Sequence, residues 1–157
     1  MIKAAIFGYG TVGSGIYEVL TRNSAVIQGK LLKIAQEHHC SYLFEASVGG
    51  GIPIIRPLCT SLAQEHIESI TGILNGTTNY ILSKMENEGA DFETVLKRAQ
   101  EKGYAERNPE ADVCGYDAGR KIAILTSLAY GKNVDFADLY VEGITQITRM
   151  DFAYAKK

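Results

Sequence analysis

An apolar run, Ile2 to Phe7, ends directly in Gly8-Tyr9-Gly10-Thr11-Val12-Gly13, and the residues that follow carry Val12, Ile16, Val19 and Leu20 as one helical stripe. A short apolar run closed by glycine reads as a buried strand. The spacing therefore predicts a strand, a tight turn and a helix over the first twenty residues. In that setting each glycine of G-x-G-x-x-G has its own reason: the first permits the turn, the second lets the backbone approach a pyrophosphate, and the third allows close helix–strand packing. Free N–H groups at the helix start then face the anion. The pattern predicts a dinucleotide site over Gly8, Gly10, Thr11, Val12 and Gly13. An ordinary strand-to-helix turn is the alternative that the glycines alone leave open. The ribose-reading residue expected about 20 positions further on has no clear counterpart: Lys30 to Glu37 is helical in pattern, and Glu37 is its sole carboxylate.

Further along, Leu31, Ile34 and Ala35 predict a short helix ending near His39, with His38 and His39 at its wet end. Strands are expected at Tyr42 to Val48, at Ile67 to Leu74 and at Tyr140 to Ile147, from alternation and flanking turn residues. Helices are expected at Thr78 to Glu88, stopped by Gly89, and at the segment capped by Asp91, with Phe92, Val95, Leu96 and Ala99 as its stripe and Gly103 at its end. Residues 104–116 read as a loop. Asp117 to Tyr130 reads as a helix with Ala118, Ile122, Leu125 and Ala129 on one face, closed by Gly131. The fold class is α/β: a partial Rossmann-type nucleotide-binding domain at 1–48, followed by an α+β substrate-binding and dimerisation domain at 49–157.

Composition narrows the function. Hydrophobic residues make up 46% and charged residues 22%, which suits a soluble globular protein rather than a disordered one. The net charge of −2 offers no bulk attraction to nucleic acid or a membrane surface. No apolar stretch approaches the ~18 residues of a membrane span, and the amino terminus does not read as a signal peptide. Cys40, Cys59 and Cys114 are odd in number and far apart, which predicts reduced thiols in a cytoplasmic protein.

Three later clusters could carry chemistry. Glu45-Ala-Ser-Val-Gly-Gly-Gly-Ile-Pro-Ile54 exposes bare backbone carbonyls that could meet a cation or a ligand, or form a flexible turn. In Gly72-Ile-Leu-Asn-Gly-Thr-Thr-Asn-Tyr-Ile81, Thr77 and Thr78 could touch a ligand, although helix capping is the simpler role. Asp117 and Lys121 are i and i+4 on one helical face. A sheltered lysine there could polarise a carbonyl oxygen. Taken alone, the pair reads more simply as a surface ion pair of about 0.5 kcal/mol or less.

Taken together, these stretches resemble the homoserine dehydrogenases. The matching segments are GYGTVGSGIYEVL (8–20), LFEASVGGGIPIIRPL (43–58), GILNGTTNYIL (72–82), GYAE (103–106), DVCGYDAGRKIAILTSLAYG (112–131) and VDFADLYVEGIT (134–145). The resemblance implies hydride transfer between NADP or NAD and the aspartate semialdehyde/homoserine pair, in threonine and methionine biosynthesis. It implies pyrophosphate binding at Gly8, Gly10 and Gly13. Glu106, Asp112 and Asp117 would surround the amino-acid substrate, with Thr77 beside it and Lys121 facing the reacting oxygen. Glu45, Val48, Gly50 and Ile52 would match a structural site for a monovalent cation such as sodium. A homodimer or homotetramer is also implied.

The sequence departs from that family in places. It lacks the remainder of the nucleotide sheet after Gly29–Leu32, it has no Asn-Lys pair, and Arg107-Asn108 replaces an Ala/Pro-Asp step. The substrate domain is also unfinished after Tyr154-Ala-Lys-Lys157. Cutting strands from the middle of a parallel sheet would expose edges and apolar faces, which favours a longer molecule. A catalytically inactive relative that keeps only the fold or the dimer-forming part is the alternative.

Overall fold

The structure, a computed structural model, describes residues 33–156. The strand at Ile2–Phe7, the glycine motif and its helix lie outside the described residues. The chain divides into two units, Met1–Phe44 and Glu45–Lys157. In the first, residues 33–37 are helical, as the spacing predicts. The segment closes with His39 in the left-handed region at φ 49° and Cys40 N–H donating to the Ala35 carbonyl at 2.9 Å. His38 and His39 are exposed.

The second unit is built from helices: α1 (Ile55–Thr60), α2 (Gly76–Glu88), α3 (Phe92–Glu101), α4 (Glu110–Val113), α5 (Tyr116–Tyr130), a 3-10 turn (Phe136–Asp138) and α6 (Arg149–Ala155). Local chemistry explains most boundaries. Asp91 caps α3 by accepting from Thr94 N–H at 2.9 Å and from its hydroxyl at 2.8 Å. Gly89 and Gly131 end α2 and α5 in the left-handed conformation that a C-cap needs. Gly103 follows the end of α3 at φ 74°, where Tyr104 N–H returns to the Ala99 carbonyl at 2.8 Å. At α6, Thr148 and Asp151 exchange side-chain and backbone bonds as a capping box.

The core gathers between α2, α3 and α4. Ile81, Met85, Val95, Ala99, Ala105 and Val113 are buried together, and Phe92, Leu96, Ile144, Ile147 and Phe152 pack against them. α1 and α4 both lie on α5, and the 3-10 turn covers α5 from another side. On α5 the deepest residues are Gly119, Ala123 and Leu125. Leu125 is buried as expected, while Gly119 and Ala123 lie deeper than the expected Ala118 and Ile122, because Phe136 and Val141 come down onto Gly119.

The described residues contain no strand, so the three strands expected within them need correction, while the α/β nucleotide-binding part of the expectation lies largely outside them. Tyr42–Val48 breaks at Ala46, which adopts φ 65° and opens a turn. Ile67–Leu74 has no regular structure and finds no ladder partner among the described residues, and Ile73 stays 76% exposed. Tyr140–Ile147 is a strap across the α4–α5 joint: Ile144 N–H donates to the Val113 carbonyl at 2.8 Å, a bond to the end of α4 and not to a strand. Alternation describes a surface suited to a sheet, but a strand forms only when another strand takes up its backbone groups. The expected loop at 104–116 also contains the short helix α4.

Candidate functional site

The site starts from Asn75, the N-cap of α2. Its Oδ1 accepts from Thr78 N–H at 2.8 Å and from the Thr78 hydroxyl at 3.0 Å. α2 therefore begins two residues earlier than expected. Neither Thr77 nor Thr78 is the cap: Thr78 is the residue being capped, and Thr77 donates its hydroxyl to the Tyr104 carbonyl at 2.8 Å. That bond ties the start of α2 to the loop carrying Glu106, and the Tyr80 and Tyr104 rings meet beside it at 5.0 Å.

The other end of Asn75 faces two carboxylates. Its Nδ2 donates to Asp112 Oδ1 at 2.7 Å and to Asp117 Oδ2 at 2.9 Å. Carboxylates only accept, so the amide nitrogen must be the atom on that side. Asp112 comes from α4 and Asp117 from the first turn of α5, where a negative charge is favoured by the helix dipole. Asp117 Oδ2 also accepts from Lys121 Nζ at 2.6 Å, and Lys121 Nζ donates to the Leu74 carbonyl at 2.9 Å. Both side chains of that pair are only 22–23% exposed. The pair is therefore sheltered and anchored to a second segment, unlike an ordinary surface i,i+4 bridge.

Bond counting shows what this cluster can do. A lysine ammonium has three N–H groups, and two are committed here, to Asp117 and Leu74. The third is available to an oxygen in front of it. Asp112 Oδ2 and Asp117 Oδ1 make no side-chain hydrogen bond among the described residues and can accept from a ligand cation. Two carboxylates against one ammonium leave one net negative charge, which suits an ammonium-bearing guest. Glu106 is exposed, and its backbone carbonyl accepts from Gln100 Nε2 at 3.0 Å. Its carboxylate makes no bond to Asp112, Asp117 or Lys121. The structure thus brings together Asp112, Asp117 and Lys121 around Asn75 and Leu74, while the Thr77 hydroxyl bonds to the Tyr104 carbonyl. Asn75 was missed as a site residue, although Asn-x-x-Thr before an apolar run is a readable cap signal.

The glycine loop is organised differently from a side-chain metal site. Glu45 accepts from the N–H groups of Ile54 at 3.3 Å, Ile55 at 3.0 Å and Arg56 at 2.8 Å, and so caps α1 from outside the helix. The Arg56 N–H, followed by the other two, holds its carboxyl below the ordinary glutamate range despite the opposing effect of desolvation. Gly49 and Gly50 take φ 82° and 58°, and Ile52 N–H closes the turn on the Gly49 carbonyl at 2.9 Å. A Cβ at Gly49 would lie 2.6 Å from the Ile52 carbonyl oxygen, so the close approach requires glycine. Val48 is buried, while Gly50 and Ile52 are exposed. The donor set is all oxygen, which fits a hard monovalent ion. With Glu45 turned to α1, such an ion would rely on backbone carbonyls. No group of three or more His, Cys, Asp or Glu side chains among the described residues could hold a metal.

The cysteines are free thiols, Cys40 and Cys59 exposed and Cys114 half-buried at the end of α4. Cys59 lies on α1, where partial burial and then the Glu45 charge push its thiol up, away from the reactive thiolate. Gly8, Gly10, Thr11, Val12 and Gly13 lie outside the described residues.

The homoserine dehydrogenase family profile matches residues 53–157, which include every member of the Asn75 cluster. The chain belongs to the homoserine dehydrogenase family. The homoserine dehydrogenase of Synechocystis sp. is 53% identical over 142 residues, covering 88% of this chain and 33% of that protein. The homoserine dehydrogenase of Bacillus subtilis is 49% identical over 142 residues, with the same coverage. Among solved structures, a homoserine dehydrogenase from Thiobacillus denitrificans superposes with a TM-score of 0.78 at 43% identity, covering 87% of this chain and 31% of that one. The chain thus spans about a third of the length of the curated homoserine dehydrogenases it matches. None of its helices among the described residues is long and apolar enough to cross a membrane.

Proposed function

We propose that this chain carries the substrate pocket of an NADP- or NAD-dependent homoserine dehydrogenase, which interconverts aspartate 4-semialdehyde and homoserine as a step of threonine and methionine biosynthesis in the cytoplasm. The observation that carries the reading is the convergence of Lys121, Asp117 and Asp112 at one buried asparagine. Asp112 and Asp117 bind the substrate's ammonium through their remaining oxygens, with Thr77 and the nearby Glu106 loop bounding that end. Lys121 directs its third N–H at the oxygen that gains negative charge as the aldehyde is reduced, and it holds a proton there. Asp117 and the Leu74 carbonyl fix the ammonium's position. A nicotinamide, bound through the Gly8–Gly13 turn of an α/β nucleotide domain, would supply the hydride. A sodium ion on the carbonyls of the Glu45–Ile52 loop, and pairing of subunits into a dimer or tetramer, belong to the same reading.

Reduced-nicotinamide oxidation with aspartate semialdehyde tests it. Lys121→Met keeps the apolar stem and removes the charge. Turnover should fall by about 10²–10³-fold, as for loss of one donor to a developing oxyanion, with the helical circular dichroism unchanged. Retained turnover would remove Lys121 from the reaction. Activity on a different semialdehyde alone would redirect the substrate assignment. A second reading is a relative that keeps only the fold or the dimer-forming part without turnover. Turnover by the unmodified chain refutes it.

A further inference from the structure

Asn75 is the one buried polar or charged residue among those described, 8% exposed, and it is placed where α2, α4 and α5 meet. Its donor capacity is completely used. Both Nδ2 protons go to carboxylates, Asp112 Oδ1 at 2.7 Å and Asp117 Oδ2 at 2.9 Å. Oδ1 accepts from the Thr78 N–H at 2.8 Å and shares the single Thr78 hydroxyl proton, 3.0 Å away, with the Asn75 backbone carbonyl at 3.2 Å. A primary amide offers two donors, so none remains to touch a substrate. Two carboxylates drawn to one neutral amide repel each other unless donors lie between them. Lys121 reaches only Asp117. The bond from Asn75 to Asp112 is therefore what joins the second carboxylate to the Lys121–Asp117 pair.

Resting on the substrate-pocket reading of this cluster, we propose that Asn75 is a positioning residue: it sets the spacing of Asp112 and Asp117, and through them the recognition of the substrate's ammonium group. Capping and bridging are separable by substitution. Serine and aspartate both cap helices as well as asparagine does. Neither can donate to two carboxylates at once, and an ionised aspartate donates to none.

The test uses Asn75→Ser and Asn75→Asp in the full chain. Both should retain the helical circular dichroism of the parent. KM for homoserine should rise by about 10²-fold in Asn75→Ser, the scale of a mispositioned binding group, while KM for the nicotinamide cofactor stays put. Asn75→Asp should lose more at neutral pH, where it adds a third carboxylate. It should regain ground on the parent as the pH falls toward about 4–5, because the protonated acid can again donate. A merely structural cap predicts neither the KM split nor the pH-dependent recovery. Unchanged homoserine KM in both variants overturns the proposal.

If the unmodified chain neither binds nor oxidises homoserine, the functional reading fails by itself. The positioning claim is then decided on ligand-free protein by the carboxyl ¹³C resonances of Asp112 and Asp117. Movement of both in both variants, with the Thr78 amide held, supports it, and unmoved resonances refute it.

Discussion

Replacing Gly119 by alanine sets two effects of opposite sign against each other. Gly119 lies in the interior of α5, between Asp117 and Lys121. By intrinsic propensity alone, alanine would stabilise the helix by about 1 kcal/mol. The added Cβ, however, would lie 2.7 Å from Phe136 Cε2 and 3.0 Å from Val141 Cγ2. Overpacking of this kind costs about 1–3 kcal/mol. Phe136 is only half-buried, so the 3-10 turn can give, but Val141 meets the same Cβ, and the middle of that range, about 2 kcal/mol, applies. The expected net loss is about 1 kcal/mol, read in urea unfolding followed by far-ultraviolet circular dichroism, or as about 2–4 °C in Tm. In a Phe136→Ala background the ring contact is gone, and the same change should stabilise by about 0.5–1 kcal/mol. The sign reversal implies a coupling near 2 kcal/mol, within the range seen for touching residues. Equal stabilisation in both backgrounds would show that Phe136 does not press on Gly119, and would refute the account of why α5 turns that face inward. Because Asp117 and Lys121 flank Gly119, a displaced α5 should also raise the KM for homoserine in the single variant.

Other outcomes follow from the same geometry. Ile81→Ala, at a side chain with no exposed surface, should cost about 2–5 kcal/mol in urea unfolding. Ile73→Ala, at a largely exposed position, should stay within about 0.5 kcal/mol. The Thr94 N–H, then its hydroxyl, hold the Asp91 carboxyl below its ordinary 3.8. Its contribution to α3 is therefore fully present above that value and lost as the pH falls below it. Asp91→Asn should keep the helix and flatten this acid limb in a pH titration of α3 amide exchange. Thr77→Val removes the bond that holds the Tyr104 loop to α2. It should raise the homoserine KM with little change in kcat, and Thr77→Ser should restore the parent value.

Helix ends were legible wherever the signal is local. Asp91 and Thr94 are three residues apart, Gly89 and Gly131 need only their own φ, and the apolar spacing of Val95 and Ala99 follows from the helical turn. Strands were not legible in the same way. The alternation at Ile67–Leu74 and Tyr140–Ile147 is present, yet its backbone groups find no ladder among the described residues. On α5 the spacing finds Leu125 but not Gly119 and Ala123, because that part of the inner face is chosen by Phe136 and Val141, which lie on a later segment.

The candidate site divides along the same line. The residue types and the i,i+4 step of Asp117 and Lys121 were already present in the sequence, as was the order of motifs that marks the homoserine dehydrogenase family. Whether that pair was a solvated ion pair or the sheltered centre of a site was decided only in three dimensions. Asn75 meets Asp112 and Asp117 across separations of 37 and 42 residues, and Lys121 reaches Leu74 across 47. Capping and periodicity act between neighbours on one helix, and so they are written locally. A carboxylate's partners across three helices depend on how those helices pack, and packing is a property of the folded chain alone.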